Sequence, residues 1–536
     1  MGRPAAGSAA GAATLAKRGV DDFVLRPDNR HSTHEMRRMY RSIPRRLRVP
    51  LILALAVLTR ALGILSRPIW YDEAFSILFS AKGPAAMLYG TLAPTAGGTA
   101  DIHPLGYYTL LWLWMKIFGS SLPAARTLSI LAGVATVGLA YLLARGLFNE
   151  RLAFTASIFV ALAPFPVHYS QEIRMYSFLA LWLMLATYAY TRGAKDGGLK
   201  WWVLFSVSAA LAQYTHNLAA FYLLPLAATP LLRRDWKSLR AVTIAGLGAL
   251  TLYLPWLIQL PGQLAKVSTA YWVDRPGVGK FFTLLLVYAT NLPLPNGWLF
   301  PALFIALAAL TIAALQTFRR SNRDPNALWL FYLAFAPPLL LFLVSQWTPV
   351  YIERALLPSG IIFCIWLAWA LFETSLPPIL RNSVTVMLAL GAAIGLYQHV
   401  AYRGFPYAPF RGLDASLRER IRPGDAVVHA SKLSLLPAAY FDPSLPQIFV
   451  VDAPGSNTDT LAVSTRDVLR VTAASDVEAA VGGARRVWFV VFQHHIEAYV
   501  RKGSVNHPQL EWLETDFKLD HVEEWGNIRL YQFIRK

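Results

Sequence analysis

Charge is what this chain has least of. Only 15% of its 536 residues are Asp, Glu, Lys or Arg, against 55% that are hydrophobic, and the mean hydropathy is +0.40. Soluble domains carry about 25% charged residues, so the composition is that of a membrane protein. Cysteine is reduced to Cys364 inside an apolar run, which excludes an intramolecular disulfide and fits an inert packing residue. The sequence has no Walker loop, dinucleotide glycine motif, CxxC pair or HExxH sequence, and no internal repeat. The few charges are unbalanced, with a net +19. Lys and Arg cluster between apolar runs and not along one soluble face. That is the positive-inside pattern, and nucleic acid is not an expected partner.

Long apolar runs are what the chain has in quantity. Residues 1–48 are Ala/Gly-rich and then basic, with no apolar core before Pro50, so they read as a disordered cytoplasmic tail and not a cleaved signal. A bilayer core of about 30 Å takes roughly 20 residues per helix. Runs near that length lie at 49–66, 127–144, 152–169, 177–192, 201–217, 218–232, 241–260, 299–318, 327–346, 355–373 and 384–402, about eleven spans. Two further stretches, 104–119 and 281–298, are short or broken. Counting 104–119 as a span would export most basic clusters, so it is expected to lie flat at the outer surface, and 281–298 to be interfacial or re-entrant.

The fold class expected is therefore an α-helical polytopic membrane protein, with its N-terminus cytoplasmic and a transmembrane module over 49–402. Its first external loop would be 67–126. Beyond 402 the composition becomes that of a soluble protein. Strands at 426–429, 447–451, 486–491, 516–523 and 527–534, with helices near 412–421, 433–441, 475–481 and 494–501, suggest a small α/β domain over 403–536, outside the cytoplasm.

With that topology Asp72, Glu73, Asp101, His103, Glu172, Arg174, His216, Asp274, Arg275, Glu353 and Arg354 share the extracytoplasmic face. The adjacent carboxylates of Asp72 and Glu73 suit a general base, or equally the cap of a helix beginning at Ala74. Asp101 and His103 allow a divalent-metal site with Asp72 or Glu73, or the binding of acceptor hydroxyls. Glu172 and Arg174 read either as a surface ion pair or, with Tyr169, Gln171 and Tyr176 beside them, as a sugar subsite. Arg354 pairs with Glu353 or grips a lipid-linked phosphate. His216 ends a span as an interfacial residue or a substrate contact, and Arg60 lies within the first span as a snorkelling or helix-pairing residue.

The order of motifs carries a resemblance. Trp70-Tyr71-Asp72-Glu73, Asp101-x-His103-Pro104-x-x-Tyr107-Tyr108, Ala125-Arg126-x-x-Ser129 and Tyr169-Ser170-Gln171-Glu172-x-Arg174-Met175-Tyr176 together resemble the bacterial branch of the GT-C glycosyltransferases. The likeness is to family-39 protein-mannosyltransferase-like enzymes, whose relatives decorate lipid A with aminoarabinose. It covers roughly 45–400. Leu105 stands where many relatives carry a second proline, and Ile352-Glu353-Arg354-Ala355 where an Arg-Tyr pair is frequent.

The resemblance implies a GT-C fold in a bacterial inner membrane and a polyprenyl-phosphate sugar donor. It also implies a protein, lipid or glycan acceptor, and an inverting transfer outside the cytoplasm. Asp72 matches the family's catalytic aspartate, seconded by Glu73. Asp101, His103, Tyr107, Tyr169, Gln171, Glu172, Arg174, Tyr176, His216 and Arg354 are the substrate-binding candidates. No cofactor is fixed, and a divalent metal on Asp72, Asp101 and His103 stays open. The alternative function is a transporter or flippase of a polyprenyl-linked or amphiphilic substrate. That would call for midplane charges and paired repeats, and apart from Arg60 the charges sit at span ends.

Overall fold

Apolar runs of bilayer length become long helices. The computed structural model describes residues 43–96, 98–269, 271–452 and 460–536. Among these, six helices are long and apolar enough to cross a membrane: Leu122–Leu147, Trp236–Leu257, Asn296–Arg319, Pro325–Val344, Glu353–Phe372 and Pro378–Ala401. The chain is a multi-pass membrane protein.

Several expected spans are reshaped by proline and by length. The run 152–169 is not one rod but two helices, Glu150–Leu162 and Pro164–Ser170, meeting at 59°. Pro164 and Pro166 lack the N–H groups a continuous helix needs, so the break falls there. The first helix is Arg45–Ala61 and not 49–66, with 62–66 in turns. Arg45 to Arg48 therefore belong to a helix, and residues 1–42 of the expected tail lie outside the described residues. The run 281–298 divides. Gly279–Ala289 is helical, Asn291 takes a positive φ of 61°, and Asn296 already begins the next long helix. The other expected spans form Tyr176–Asp196, Leu199–Thr215 and Ala220–Arg233, each shorter or more polar than the six. The stretch 104–119 is a helix over Gly106–Phe118.

Burial sorts the bundle. Within the apolar window of Glu353–Phe372, 94% is buried, against 22% for Asn296–Arg319 and Pro378–Ala401. The former is the central helix, and its start carries Arg354 into the middle of the molecule.

A short antiparallel pair, β1 (Pro94–Thr95) and β2 (Gly98–Thr99), lies in the first loop between long helices. The remaining strands form one sheet near the C-terminus. They are β3 (Ala426–His429), β4 (Gln447–Val450), β5 (Thr472–Ala474), β6 (Arg486–Phe492), β7 (Phe517–Trp525) and β8 (Ile528–Arg535), in the order β5-β4-β3-β6-β8-β7. Pairs among β5, β4, β3 and β6 are parallel, and β8 and β7 add on antiparallel. Val427, Val428, Val487, Phe489, Val490 and Val491 are all buried, the continuous apolar pattern of strands covered on both faces. The short β5 and the helices Val463–Leu469 and Pro508–Asp516 are elements not expected from the sequence.

This C-terminal region is fastened to the first loop of the helical module. The helix Lys432–Phe441 packs on Tyr71–Ser80. Thr465 Oγ1 donates to the Gly90 carbonyl at 2.8 Å, and the Tyr440 hydroxyl to that of Ser120 at 3.2 Å.

Candidate functional site

Two adjacent acids separate because they sit on a helix. Asp72 and Glu73 occupy the first turn of Tyr71–Ser80, where carboxylates are favoured by the helix dipole. Successive residues turn by about 100°, so one faces outward and the other inward. Asp72 lines a cavity of about 410 Å3, while Glu73 is fully buried behind it. Glu73 accepts two bonds from Arg126, at 2.8 and 2.7 Å, and one from the Ile173 amide at 3.1 Å. Glu73, expected as a second catalytic carboxylate, is held by these partners and does not line the cavity.

Asp72 Oδ2 lies 3.3 Å from Arg354 Nη1 and 3.5 Å from Arg174 Nε. Arg174 also donates to the Tyr108 hydroxyl at 3.2 Å and the Ser76 hydroxyl at 3.4 Å, which fixes the plane of its guanidinium. Burial penalises the Arg174 charge, but Asp72, Tyr108 and Tyr176 hold its pKa well above the ordinary value. Arg354 lies between two rings, 5.1 Å from the Tyr176 centroid and 5.6 Å from that of Trp272. Both surface-pair alternatives are overturned. Glu353 pairs with Lys280 at 2.6 Å and Glu172 with His168 at 2.9 Å, leaving Arg354 and Arg174 to Asp72.

Asp101 and His103 line the same cavity and pair with each other, Oδ1 to Nδ1, at 2.9 Å. Burial pushes the Asp101 carboxyl up, but the His103 imidazole and the Ile102 and His103 amides outweigh it and leave it below the usual range. The donor set does not fit a metal. Asp72 is taken by two guanidiniums, Asp101 by His103, and among the described residues no three His, Cys, Asp or Glu side chains gather around one point.

Of the other candidates, Tyr176 lines the cavity, but Tyr107, Tyr169, Gln171, Glu172 and His216 do not. Tyr107 is buried behind Tyr108. Gln171 donates its amide to the carbonyls of Arg60 and Leu62, at 2.8 and 2.7 Å. Glu172 joins a buried network with His168, Arg67 and Tyr407, where burial raises its carboxyl pKa. Tyr169 stacks on His168 and meets Tyr176 edge-on. His216 accepts the Leu218 amide on Nδ1 and meets His103 edge-on. Arg60 pairs helices, donating to Ser170 and the Ala161 carbonyl.

Sequence reasoning missed much of the cavity wall. Trp70, Tyr71, Trp272, Ser431, Lys432, Asp452, Thr465 and His495 are part of it. Trp70 and Tyr71 sat in the quoted motif. The last five come from beyond residue 430, where only the fold brings them in.

Comparison with known proteins agrees with this architecture. The dolichyl-phosphate-mannose-protein mannosyltransferase family matches residues 102–259. An undecaprenyl phosphate-alpha-4-amino-4-deoxy-L-arabinose arabinosyl transferase of Pseudomonas aeruginosa is 26% identical over 291 residues, covering 48% of each chain. One from Pseudomonas paraeruginosa is 26% identical over 278 residues, with the same 48% coverages. The chain spans about half the length of the curated relatives it matches.

The apo crystal structure of ArnT from Cupriavidus metallidurans superimposes with a TM-score of 0.61 at 15% identity, covering 90% of this chain and 97% of that one. The form bound to undecaprenyl phosphate gives 0.59 at 14% identity, with the same coverages. The apo oligosaccharyltransferase of Archaeoglobus fulgidus gives 0.53 at 12%, covering 89% and 73%.

Proposed function

We propose that this chain, which has the fold of the GT-C glycosyltransferases, moves a sugar from a polyprenyl-phosphate-linked donor to an acceptor hydroxyl or phosphate. The observation that carries the reading is one carboxylate oxygen, Asp72 Oδ2, set against two guanidiniums at the wall of the cavity. This chemistry needs a base beside a phosphate clamp, because the nucleophile loses its proton while charge builds on the leaving group.

The ligand-free arrangement supports an exchange of anions. Without donor, Asp72 offsets one of the two charges of Arg354 and Arg174 and leaves the cluster at +1. A donor phosphate competes for both guanidiniums and releases the carboxylate toward the acceptor. The acceptor oxygen then attacks the anomeric carbon, and the bond from that carbon to the phosphate oxygen breaks with its electron pair on the phosphate. The acceptor proton passes to Asp72. Charge is conserved within the cluster: two guanidiniums, a carboxylate and a diester anion sum to zero before the step. Two guanidiniums, a neutral acid and a doubly charged monoester sum to zero after it. A single displacement inverts the anomeric centre.

Tyr176, Asp101 and His103, on the same wall, are suited to the sugar ring and its hydroxyls. The finer topology belongs to this reading: about eleven spans, the N-terminus cytoplasmic, and 403–536 as an extracytoplasmic domain in a bacterial inner membrane. The relatives are named for transfer from undecaprenyl phosphate, so that class of donor is the first to test.

The test is reconstitution with an undecaprenyl-phosphate sugar, with bound lipid read by mass spectrometry. Asp72→Asn is expected to keep the lipid and lose transfer by about 10²–10⁴-fold. Near-normal turnover by that variant removes Asp72 as the base, and lipid movement without sugar transfer in the wild type favours a flippase.

A further inference from the structure

The C-terminal sheet reverses its winding at one place. From β3 the chain moves outward through β4 to β5, then returns to the other side of β3 at β6. In doubly wound sheets, the connections leave such a point in opposite directions and open a crevice beyond the carboxyl ends of the two strands, where ligands bind. Here β3 runs into Ser431 and Lys432, β4 into Asp452, and β6 into His495, and all four line the cavity that holds Asp72 and Arg354. The crevice opens onto the proposed transfer site.

We propose that this crevice is an oxyanion subsite for the acceptor, built from Ser431, Lys432 and the first turn of the helix Lys432–Phe441. A serine at a helix N-cap ordinarily bonds an amide of the first turn. Ser431 makes no such bond; it is 9% exposed, and its Oγ is buried with no hydrogen-bond partner among the described residues. The helix beyond it is ten residues long, and its second residue, Leu433, lines the same wall. The first amides of a helix have no intrahelical acceptor and carry the positive end of its dipole. The Lys432 ammonium lies 5.5 Å from the Tyr71 ring centroid, on the wall that also carries Asp72. A hydroxyl, helix-end amides and an ammonium together suit the oxygens of a phosphate or carboxylate.

Across the crevice the chemistry differs. Asp452 accepts a bond from the Thr460 hydroxyl at 2.7 Å. Burial holds the His495 imidazole down to about 4, so it is neutral near pH 7. Those two groups suit ligand hydroxyls and not an anion. An acceptor bound there is oriented, anion toward β3 and hydroxyls toward β4 and β6.

Naming the ligand as acceptor rests on the transfer reading above; the anion site does not. The full chain in detergent is titrated with inorganic phosphate by calorimetry, first after saturation with undecaprenyl phosphate. It is titrated in parallel as the Arg354→Ala variant without lipid. One phosphate per chain is expected in both settings, weakened about tenfold by Ser431→Ala and by Lys432→Gln, with lipid retention unchanged in both variants. Displacement of that phosphate by acetate assigns a carboxylate-bearing acceptor, and its persistence a phosphate-bearing one. No phosphate beyond the lipid, or affinities within about twofold of wild type in both variants, overturns the proposal. If Arg354→Ala binds lipid as the wild type does, the donor reading fails and the phosphate titration still decides the subsite.

Discussion

Glu73 and Arg126 form a two-pronged ion pair with the acid fully buried and the guanidinium 3% exposed. Removing one partner of such a pair strands the other, at a cost of about 3–5 kcal/mol. Glu73→Gln is expected to lower the melting temperature of the purified chain more than Asp72→Asn does, because Asp72 and its partners face the cavity. Equal melting of the two variants refutes the division of labour between neighbouring acids.

Arg354 holds its place by stacking as well as by charge. Lysine keeps the charge but offers neither the planar fork nor the same contact with Tyr176 and Trp272. Arg354→Lys is expected to retain about tenfold less undecaprenyl phosphate, equivalent to about 1.4 kcal/mol. Quantitative mass spectrometry of the bound lipid checks this, and full retention shows that charge alone suffices.

Asp414, in the helix Phe410–Arg420, is buried, and neither carboxylate oxygen is bonded among the described residues. Burial, with Asp442 nearby, pushes its carboxyl up to about 8. A raised folded-state pKa means the folded form holds a proton the unfolded form has released. Stability from this group is complete below about pH 4 and is lost as pH rises through about 8. Asp414→Asn is expected to melt higher than wild type at pH 9 and close to it at pH 5. Scanning calorimetry at the two values reads the difference, and a variant that melts lower at pH 9 contradicts the assignment.

Chelation is expected to leave sugar transfer within about twofold, because Asp72, Asp101 and His103 are each engaged by other partners. Loss of transfer in EDTA with recovery on adding Mn²⁺ would restore the metal reading.

The motif order Trp70-Tyr71-Asp72-Glu73 made the cavity's acidic end legible, since carboxylates at a span end are expensive without a purpose. Which carboxylate faced the cavity was not legible. That depends on where the helix begins, and a shift of one residue exchanges Asp72 with Glu73. Arg126 stood in a quoted motif without a role, although a buried guanidinium in an apolar run has to find a carboxylate. Glu172 and Arg174 looked like partners because they are close in sequence, yet Glu172 bonds His168 one turn back and the distant Tyr407, and Arg174 turns to Asp72. Ser431 and His495 gave no local signal at all. They join the cavity through a sheet crossover, and sequence spacing does not encode crossovers.

The sheet meets the cavity through the carboxyl ends of β3, β4 and β6, where connecting segments can change length and side chain without altering strand pairing. Substitutions after β3, β4 and β6 would therefore alter what the chain recognises while leaving the lipid-facing helices untouched. On the proposed transfer reading, related chains in one membrane would share a single donor pool and diverge only in their targets.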